Sequence, residues 1–382
     1  MSEGYSFQRR IGAAAPALRS GPVAGGVVSV ARAPLMLCAM RYGPLGASSR
    51  LRLAQYRPWA EAAGLRTDMR AFLSDDYVRA LYSGGSRLPS VARAYINARG
   101  ARRAARAADI LWIEKEYLPW LPYALERWAI GRTPYILDFD DAWALRYEES
   151  KNPLVRALLG SKFRNLLRGA ALTITANETL FAWAKAEGAA NVALIPTVVD
   201  LDHYRPQAEP AGPFTIGWVG TPLTATYLAG IAAPLRQLAA EAPLRLLIIG
   251  APDTRIAGVD CVHEPWSAAT EAASIARCHV GIMPLPDDEW ARGKSGYKII
   301  QYMAMARPAV GSAVGANNQI IEPGTGFLAN TPQEWLAALR RLRDDAQLRG
   351  LMGQAARDMV ARRYALQVTA PMLIEHIKSI LN

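Results

Sequence analysis

Short apolar runs alternate with helical stretches twice along the chain, and a polar, proline-rich segment at 202–213 (DHYRPQAEPAGP) separates the two series. Repeated strand-then-helix units point to parallel sheets, because a crossover helix is what returns the chain to the start of the next parallel strand. In the first series strands are expected at 35–40, 66–73, 109–113, 134–138, 171–176 and 191–195, with helices at 48–63, 89–107, 117–129, 151–168 and 178–187. In the second, strands are expected at 214–219, 244–249, 258–263, 279–284 and 308–312, with helices at 222–241, 267–277 and 296–306. Helices at 332–344, 346–363 and 367–381 close the chain. The chain therefore reads as α/β, with two Rossmann-like domains at 33–205 and 214–363, a linker at 206–213 and a C-terminal helix within 364–382.

Open parallel sheets bind ligands outside the carboxyl ends of their strands, so the cleft between two such sheets is the expected site. Neither half carries GxGxxG after its first strand, where the loops read RYGPLGASSR and GWVGTPLT. That disfavours a dinucleotide-dependent dehydrogenase. Cys38, Cys261 and Cys278 are too far apart for a disulfide framework, which points to a reducing, cytoplasmic setting. The four histidines show no metal-ligand spacing. The longest apolar stretch, 21–40, is cut by Arg32 and Pro34, short of the roughly 20 clean residues a membrane span needs. Residues 1–32 read as a disordered leader or an over-early start.

Four segments carry chemistry. The densest is 287–298 (DDEWARGKSGYK). Its GKS is not a Walker loop, since position 288 holds Asp where that loop needs Gly. With Ser295 as N-cap, Lys298 falls in the first helical turn and Lys294 just ahead of it. Cations there oppose the helix dipole by roughly 0.3–1 kcal/mol each, an arrangement that makes sense when an anion lies between them. Lys294, Ser295, Gly296, Tyr297 and Lys298 thus form a candidate phosphate cradle, with Gln301 one turn further on the same face; the alternative leaves both lysines in water. Gly220-Thr221-Pro222 follows strand 214–219. Thr at N-cap and Pro at the first helical position start a helix well, and the same geometry leaves amides for a phosphate. Asp138-Phe139-Asp140-Asp141 ends strand 134–138 with a DxD, the pattern that holds Mn²⁺ or Mg²⁺ on a nucleotide diphosphate. Strand-end carboxylates also serve as helix caps or accept hydrogen bonds from a sugar.

The fourth segment concerns charge. The net charge is +11, but residues 1–107 carry +12 and the remainder −1. Within the basic part, Arg99, Arg102, Arg103 and Arg106 are spaced to lie along one helix face, with no acid before Asp109. Such a stripe suits an anionic membrane surface, at about 1 kcal/mol per basic residue, or an anionic acceptor, or simply water. No nucleic-acid module is recognisable and aromatics do not interleave with the stripe, so nucleic acid is not an expected partner.

In order along the chain stand Ile195-Pro196-Thr197-Val198-Val199-Asp200, Ile216-Gly217-Trp218-Val219-Gly220, Lys298-Ile299-Ile300-Gln301-Tyr302-Met303-Ala304-Met305-Ala306-Arg307-Pro308, Gly311-Ser312-Ala313-Val314-Gly315 and Gly326-Phe327-Leu328. The first is similar to IPNGVD and the third to KLFEYMAAGKPVV. Over most of 34–380 the chain resembles the retaining glycosyltransferases of the GT-B fold, of the family 4, or glycosyl transferases group 1, type. The resemblance implies two domains facing across a cleft, a UDP- or GDP-sugar donor held mainly by the second, and an acceptor held by the first. It also implies a final helix crossing back to the first domain, retention of configuration without an obvious enzymatic nucleophile, and no required metal or other cofactor. Departure of a sugar from a diphosphate builds charge on the bridging oxygen, and a preorganised donor there is worth roughly 3–4 kcal/mol.

Three departures from the family pattern matter. Its glutamate pair falls on Gly293 and Gln301, of which only Gln301 retains a group for the ribose. Its Arg and Lys after the first strand of the second domain are absent from 220–224, leaving that charge to Lys294, Lys298 or Arg292. Its His-Asp of the first domain corresponds to Asp140-Asp141, which makes Asp140 the candidate contact to the transferred sugar. On the acceptor side, Gly46 in loop 43–49 allows close approach to the diphosphate, Ser48 reads as a helix cap, and Arg50, Glu114 and Asp141 are expected at the cleft. The expectation is a cytoplasmic glycosyltransferase, peripheral at the inner face of the membrane, acting on a cell-envelope polysaccharide or lipid-linked acceptor. Alternatives are a nucleotide-sugar 2-epimerase on the same scaffold, a transferase using Mg²⁺ or Mn²⁺ on Asp138 and Asp140, and a non-catalytic sugar-nucleotide binder.

Overall fold

Strands form where the apolar runs lie. In the computed structural model, which describes residues 32–382, these are β1 (Leu35–Tyr42), β2 (Arg66–Leu73), β3 (Ile110–Glu114), β4 (Tyr135–Phe139), β5 (Leu172–Thr175) and β6 (Val192–Leu194). The second series is β7 (Phe214–Val219), β8 (Leu244–Ile249), β9 (Asp260–Glu264), β10 (Val280–Met283), β11 (Ala309–Gly311) and β12 (Gly326–Leu328). The expected leader lies, but for Arg32, outside the described residues.

Each series makes one six-stranded sheet, ordered β2-β1-β3-β4-β5-β6 and β12-β11-β10-β7-β8-β9, and every recorded pairing is parallel. Central strands such as β3 (ILWIE), β4 (YILDF) and β7 (FTIGWV) are buried throughout, as expected where helices cover both faces. Edge strands β2 and β9 are polar and largely accessible, which discourages further pairing. β12 was not foreseen as a strand; three residues on an edge are too few to show a period. The chain leaves β1 in one direction to β2 and in the other to β3, and the same reversal occurs between β8 and β10 around β7. Such switch points open crevices at the carboxyl ends of the strands.

The helices are shorter than periodicity predicts. The expected helix at 89–107 is Leu88–Asn97, a 3-10 turn at Ala98–Gly100 and Ala101–Ala107, parted at Gly100, a poor helix former. That at 48–63 divides into Ala47–Arg52, the 3-10 turn Ala54–Tyr56 and Arg57–Ala62. The one expected at 117–129 starts only at Tyr123, because Pro119 and Pro122 keep the preceding segment out of a helix. That at 151–168 divides around Gly160, and that at 222–241 becomes Pro222–Ala225, the 3-10 turn Thr226–Ile231 and Ala232–Glu241. Helix Asp75–Ser83, with Asp75 and Asp76 in its first turn, was not foreseen.

One apolar cluster runs through both halves, joining Met36, Trp112 and Ile136 below the first sheet to Ile299, Tyr302 and Met305 below the second. It is completed by Val198, Val199 and Tyr204 from the first connection and by Leu373 and Ile377 of the closing helix Leu366–Leu381. That helix packs on Tyr56 and Ala60 of the first half, and Tyr56 Oη lies 3.2 Å from Thr369 Oγ1. A buried side chain of this kind contributes about 1.5–3 kcal/mol. The two connections touch: Val199 N donates to Tyr364 O at 3.1 Å and Leu366 N to Val199 O at 2.8 Å.

Candidate active site between the sheets

At the carboxyl end of the first sheet, Glu114 is buried and accepts from Arg41 N (2.8 Å), Ser48 Oγ (2.6 Å) and Ser49 Oγ (2.5 Å). It pins the loop after β1 to β3 and is not available to an acceptor, which corrects its expected role. Ser48 serves this tether, and the helix cap is Gly46. A Cβ on Gly46 would sit 2.3 Å from Tyr42 Cβ, so the missing side chain accommodates Tyr42 rather than a diphosphate. Lys115, at φ 65°, turns its ammonium to 2.9 Å from Asp140 Oδ1 and 2.8 Å from Ser48 Oγ. Burial pushes the Asp140 carboxyl up, but Lys115 and Ser48 outweigh it and hold the group below the ordinary aspartate value. Burial and then the Asp140 charge raise Asp141. Asp138 is 1 % exposed; its Oδ1 accepts from Arg52 Nε (2.8 Å) and its Oδ2 from Trp112 Nε1 (3.1 Å). Burial raises it to about 6 in spite of Arg52. With Asp138 so engaged and Asp140 on Lys115, the DxD does not offer a divalent ion the pair of ligands expected of it.

At the second sheet, helix Tyr297–Ala304 is capped by Gly296 at φ 68°, not by Ser295. A Cβ at Gly296 would strike Ile320 Cδ1 at 2.3 Å, so both the turn and the packing require glycine. Lys298 Nζ lies 5.1 Å from the Trp218 ring centroid and Lys294 Nζ 5.5 Å from that of Trp290. Neither lysine forms an ion pair among the described residues. Burial, followed by repulsion from Lys294, lowers Lys298 to about 7, with Asp141 opposing. Gln301 is 1 % exposed and donates to Tyr204 Oη at 2.6 Å; Tyr204 donates in turn to Glu271. The ribose contact expected of Gln301 is thus replaced by an internal bond. Tyr297, at the start of the same helix, is raised by burial and by Glu271.

Thr221 N donates to Thr224 Oγ1 at 3.1 Å, closing a single turn, and a Cβ on Gly220 would meet the Trp218 ring at 2.3 Å. The structural role of Gly220-Thr221-Pro222 is therefore satisfied, although Thr221 and Thr224 do face the cleft. Arg292 is paired with Asp287 at 2.7 Å and is not free to replace the missing basic residues. Arg50 stacks across the cleft, its Cζ 5.0 Å from the Trp266 centroid, outside the main cavity wall. At Gly293 a Cβ would lie 2.4 Å from Ala142 Cβ, which explains why no glutamate stands there. Asn177 fastens this joint: its Nδ2 donates to Gly293 O (2.9 Å) and Lys294 O (3.0 Å) while its Oδ1 caps Leu180 N (2.8 Å).

Between the halves lies a cavity of about 1110 Å³ whose wall includes Asp141, Trp143 and Arg146 from the first and Thr221, Trp290 and Lys294 from the second. Asp141, not Asp140, is the carboxylate in that wall. Behind it, Glu116 takes Arg41 (2.5 Å) and Lys162 (2.6 Å), and Lys162 also reaches Glu126 (2.6 Å). Sequence reasoning missed Trp143, Arg146, Asn177 and this buried network, and gave Trp290, within 287–298, no role; the local signals were that segment and the proximity of Trp143 and Arg146 to Asp141. The arginine stripe is elsewhere. Arg99 lies on the 3-10 turn and Arg102, Arg103 and Arg106 on Ala101–Ala107, with Arg102 Cζ 4.3 Å from the centroid of Trp128, itself 60 % exposed.

Residues 214–345 match the family model described as Glycosyl transferases group 1. No curated protein sequence matches the chain. Among solved structures it is similar to sucrose-phosphate synthase from Thermosynechococcus elongatus, at TM-score 0.68 and 15% identity, covering 91% of this chain and 99% of that one. Anabaena Alr3699/HepE in complex with UDP and glucose is similar at TM-score 0.63 and 15% identity, covering 91% and 100%. A glycosyltransferase from Rickettsia africae ESF-5 is similar at TM-score 0.64 and 12% identity, covering 91% and 99%. The chain has the GT-B fold, an α/β architecture of two parallel six-stranded sheets, and its second half matches the Glycosyl transferases group 1 model.

Proposed function

We propose that the protein is a glycosyltransferase, of the hexosyltransferase kind, that moves a sugar from a UDP- or GDP-sugar to a cell-envelope polysaccharide or lipid-linked acceptor. In this proposal transfer proceeds with retention and needs no metal. The observation that carries it is the pair Lys294 and Lys298, without carboxylate partners among the described residues, at the carboxyl end of the second sheet, with Lys294 in the wall of a cavity shared by both halves. Two such cations in a partly dry site stabilise a departing nucleoside diphosphate far better than they would in water. Asp141, across the cavity, accepts a hydroxyl of the transferred sugar or the acceptor, with the Asp140–Lys115 pair fixing its strand end. HepE, similar in fold, was solved with UDP and glucose, which agrees with a nucleotide-sugar donor. None of the four histidines lines the cavity, which disfavours the 2-epimerase.

The basic face with exposed Trp128 and Leu125 we assign to the anionic inner leaflet, as a peripheral contact; among the described residues no helix is long and apolar enough to cross a membrane. A non-catalytic binder is the second reading, favoured by Gly293 and by the burial of Gln301. Calorimetric titration with a panel of UDP- and GDP-sugars, paired with a donor-hydrolysis assay with and without EDTA, separates these. Binding of one nucleotide class with EDTA-insensitive sugar release supports the transferase. Binding without turnover on any acceptor supports the binder, and no binding of either class removes both.

A further inference from the structure

We propose that the first-half wall of the cavity is built for an acceptor sugar bearing an anionic group, a carboxylate or a phosphate, with Arg146 as the residue that grips it. The proposal rests on the reading of this cavity as the place where donor and acceptor meet. Arg146 Cζ lies 4.2 Å from the ring centroid of Trp143, in the first half, and 5.0 Å from that of Trp290, in the second. The two centroids are themselves 6.3 Å apart, so the indoles meet the guanidinium from roughly perpendicular sides and do not sandwich it; the N–H groups on its open side form a fork that fits a carboxylate or phosphate. Among the described residues those donors make no hydrogen bond or ion pair. The head group is thus flanked by two indoles and has no carboxylate in contact among the described residues.

The rest of the wall agrees in charge. Arg87 is a second cation in the lining and has no ion pair among the described residues, whereas Arg41 is buried and taken by Glu116. Asp141 is the only carboxylate in the lining, and it already faces the fields of Lys294, Lys115 and Arg146. Trp143 contributes ring surface to the same wall, while its Nε1 is buried behind that surface. Tyr42 and Tyr77, stacked with centroids 6.2 Å apart, add ring surface of the kind that sugar C–H faces cover. An anionic pyranose supplies in one molecule the ring for this surface and the charge for Arg146.

The test compares D-glucuronate and glucose 6-phosphate with glucose as ligands of the full chain, by ligand-observed NMR titration, with UDP or GDP at saturation to fill the donor lysines. At least one charged sugar should bind about tenfold more tightly than glucose, as a charge-assisted hydrogen bond provides. Which of the two does so identifies carboxylate or phosphate as the group. Arg146→Gln should remove that advantage while its unfolding midpoint and nucleotide affinity stay near those of the parent, and Arg146→Lys should restore only part of it. Equal affinities for the three sugars, no binding of the charged ones, or an advantage that survives Arg146→Gln overturns the proposal. So does an advantage that vanishes when nucleotide is added, since the anion then occupied the donor site. If neither UDP nor GDP binds, the donor assignment falls on that result alone, and the sugar comparison is decided without nucleotide.

Discussion

A lysine ammonium set against the Trp218 indole, with Lys294 nearby and no carboxylate in contact, gives up its proton far more readily than a solvated one, and Lys298 is brought down to about 7. An unfolded chain holds the same proton up to about 10.4. The folded protein therefore binds fewer protons between those values, so its stability rises with pH across that window and is lost as pH falls through about 7. A bound diphosphate reverses the preference by stabilising the charged form. Two results follow for one residue. Lys298→Met should raise the thermal midpoint of the free protein at pH 6 to 7 yet weaken nucleotide-sugar binding by about 10–100-fold. The parent's affinity should fall as pH rises above about 7, with proton uptake on binding seen as a dependence of the calorimetric heat on buffer. A variant that binds donor as the parent does would take Lys298 out of the site. The position of Lys298 was legible because GKSGYK is contiguous, whereas the fates of Gln301 and Glu114 were not. Gln301 finds its partner 97 positions away and Glu114 finds Ser49 65 positions away, so local spacing says nothing of either bond.

At the scale of elements, the segment carrying Lys294 is pressed on the end of β4, and the contact tolerates only a glycine. A single methyl group at 293 would meet Ala142 Cβ at 2.4 Å, and that residue follows directly on Asp141. Gly293→Ala should leave nucleotide binding within a few-fold of the parent and lower the transfer rate by about 100-fold, the effect of a roughly 1 Å misplacement of reacting groups. Stopped transfer assays beside calorimetry check this, and equal rates for the two proteins would show that the joint does not set the geometry. Strands were read well from the sequence because a buried parallel strand is a continuous apolar run that ends in turn residues. Helices were read too long because amphipathic spacing continues through Gly100 and Gly160, where the backbone nonetheless changes course. Pro222–Ala225 is a single turn separate from Ala232–Glu241, so the helix start expected after Gly220-Thr221 is a one-turn cap at the cavity wall.

For the whole molecule, the restart of the βα pattern at 214 disclosed two halves, but strand order was invisible, because order depends on which side of the first strand each crossover falls. The charge split was equally plain in the sequence, and the fold gives part of it a location. Arg102 lies against exposed Trp128 and none of Arg99, Arg102, Arg103 and Arg106 lines the cavity, so under the proposed membrane contact docking and transfer are separable. Replacing Arg99, Arg102, Arg103 and Arg106 with Gln should reduce cosedimentation with anionic vesicles, and the parent's binding should weaken as salt rises. A parent protein that ignores such vesicles at low salt ends the membrane assignment. The hydrogen bonds joining Val199 to Tyr364 and Leu366 have a consequence for chain topology. The chain enters its second half and returns from it side by side, and the returning helix settles on Tyr56 of the first. The segment carrying β7 to β12 is thus entered and left at one place in the path of the chain. Entry and exit lie at one point, so the segment carrying β7 to β12 can be exchanged there for that of a similar chain, provided the replacement also supplies the Ile299, Tyr302 and Met305 side of the shared apolar cluster.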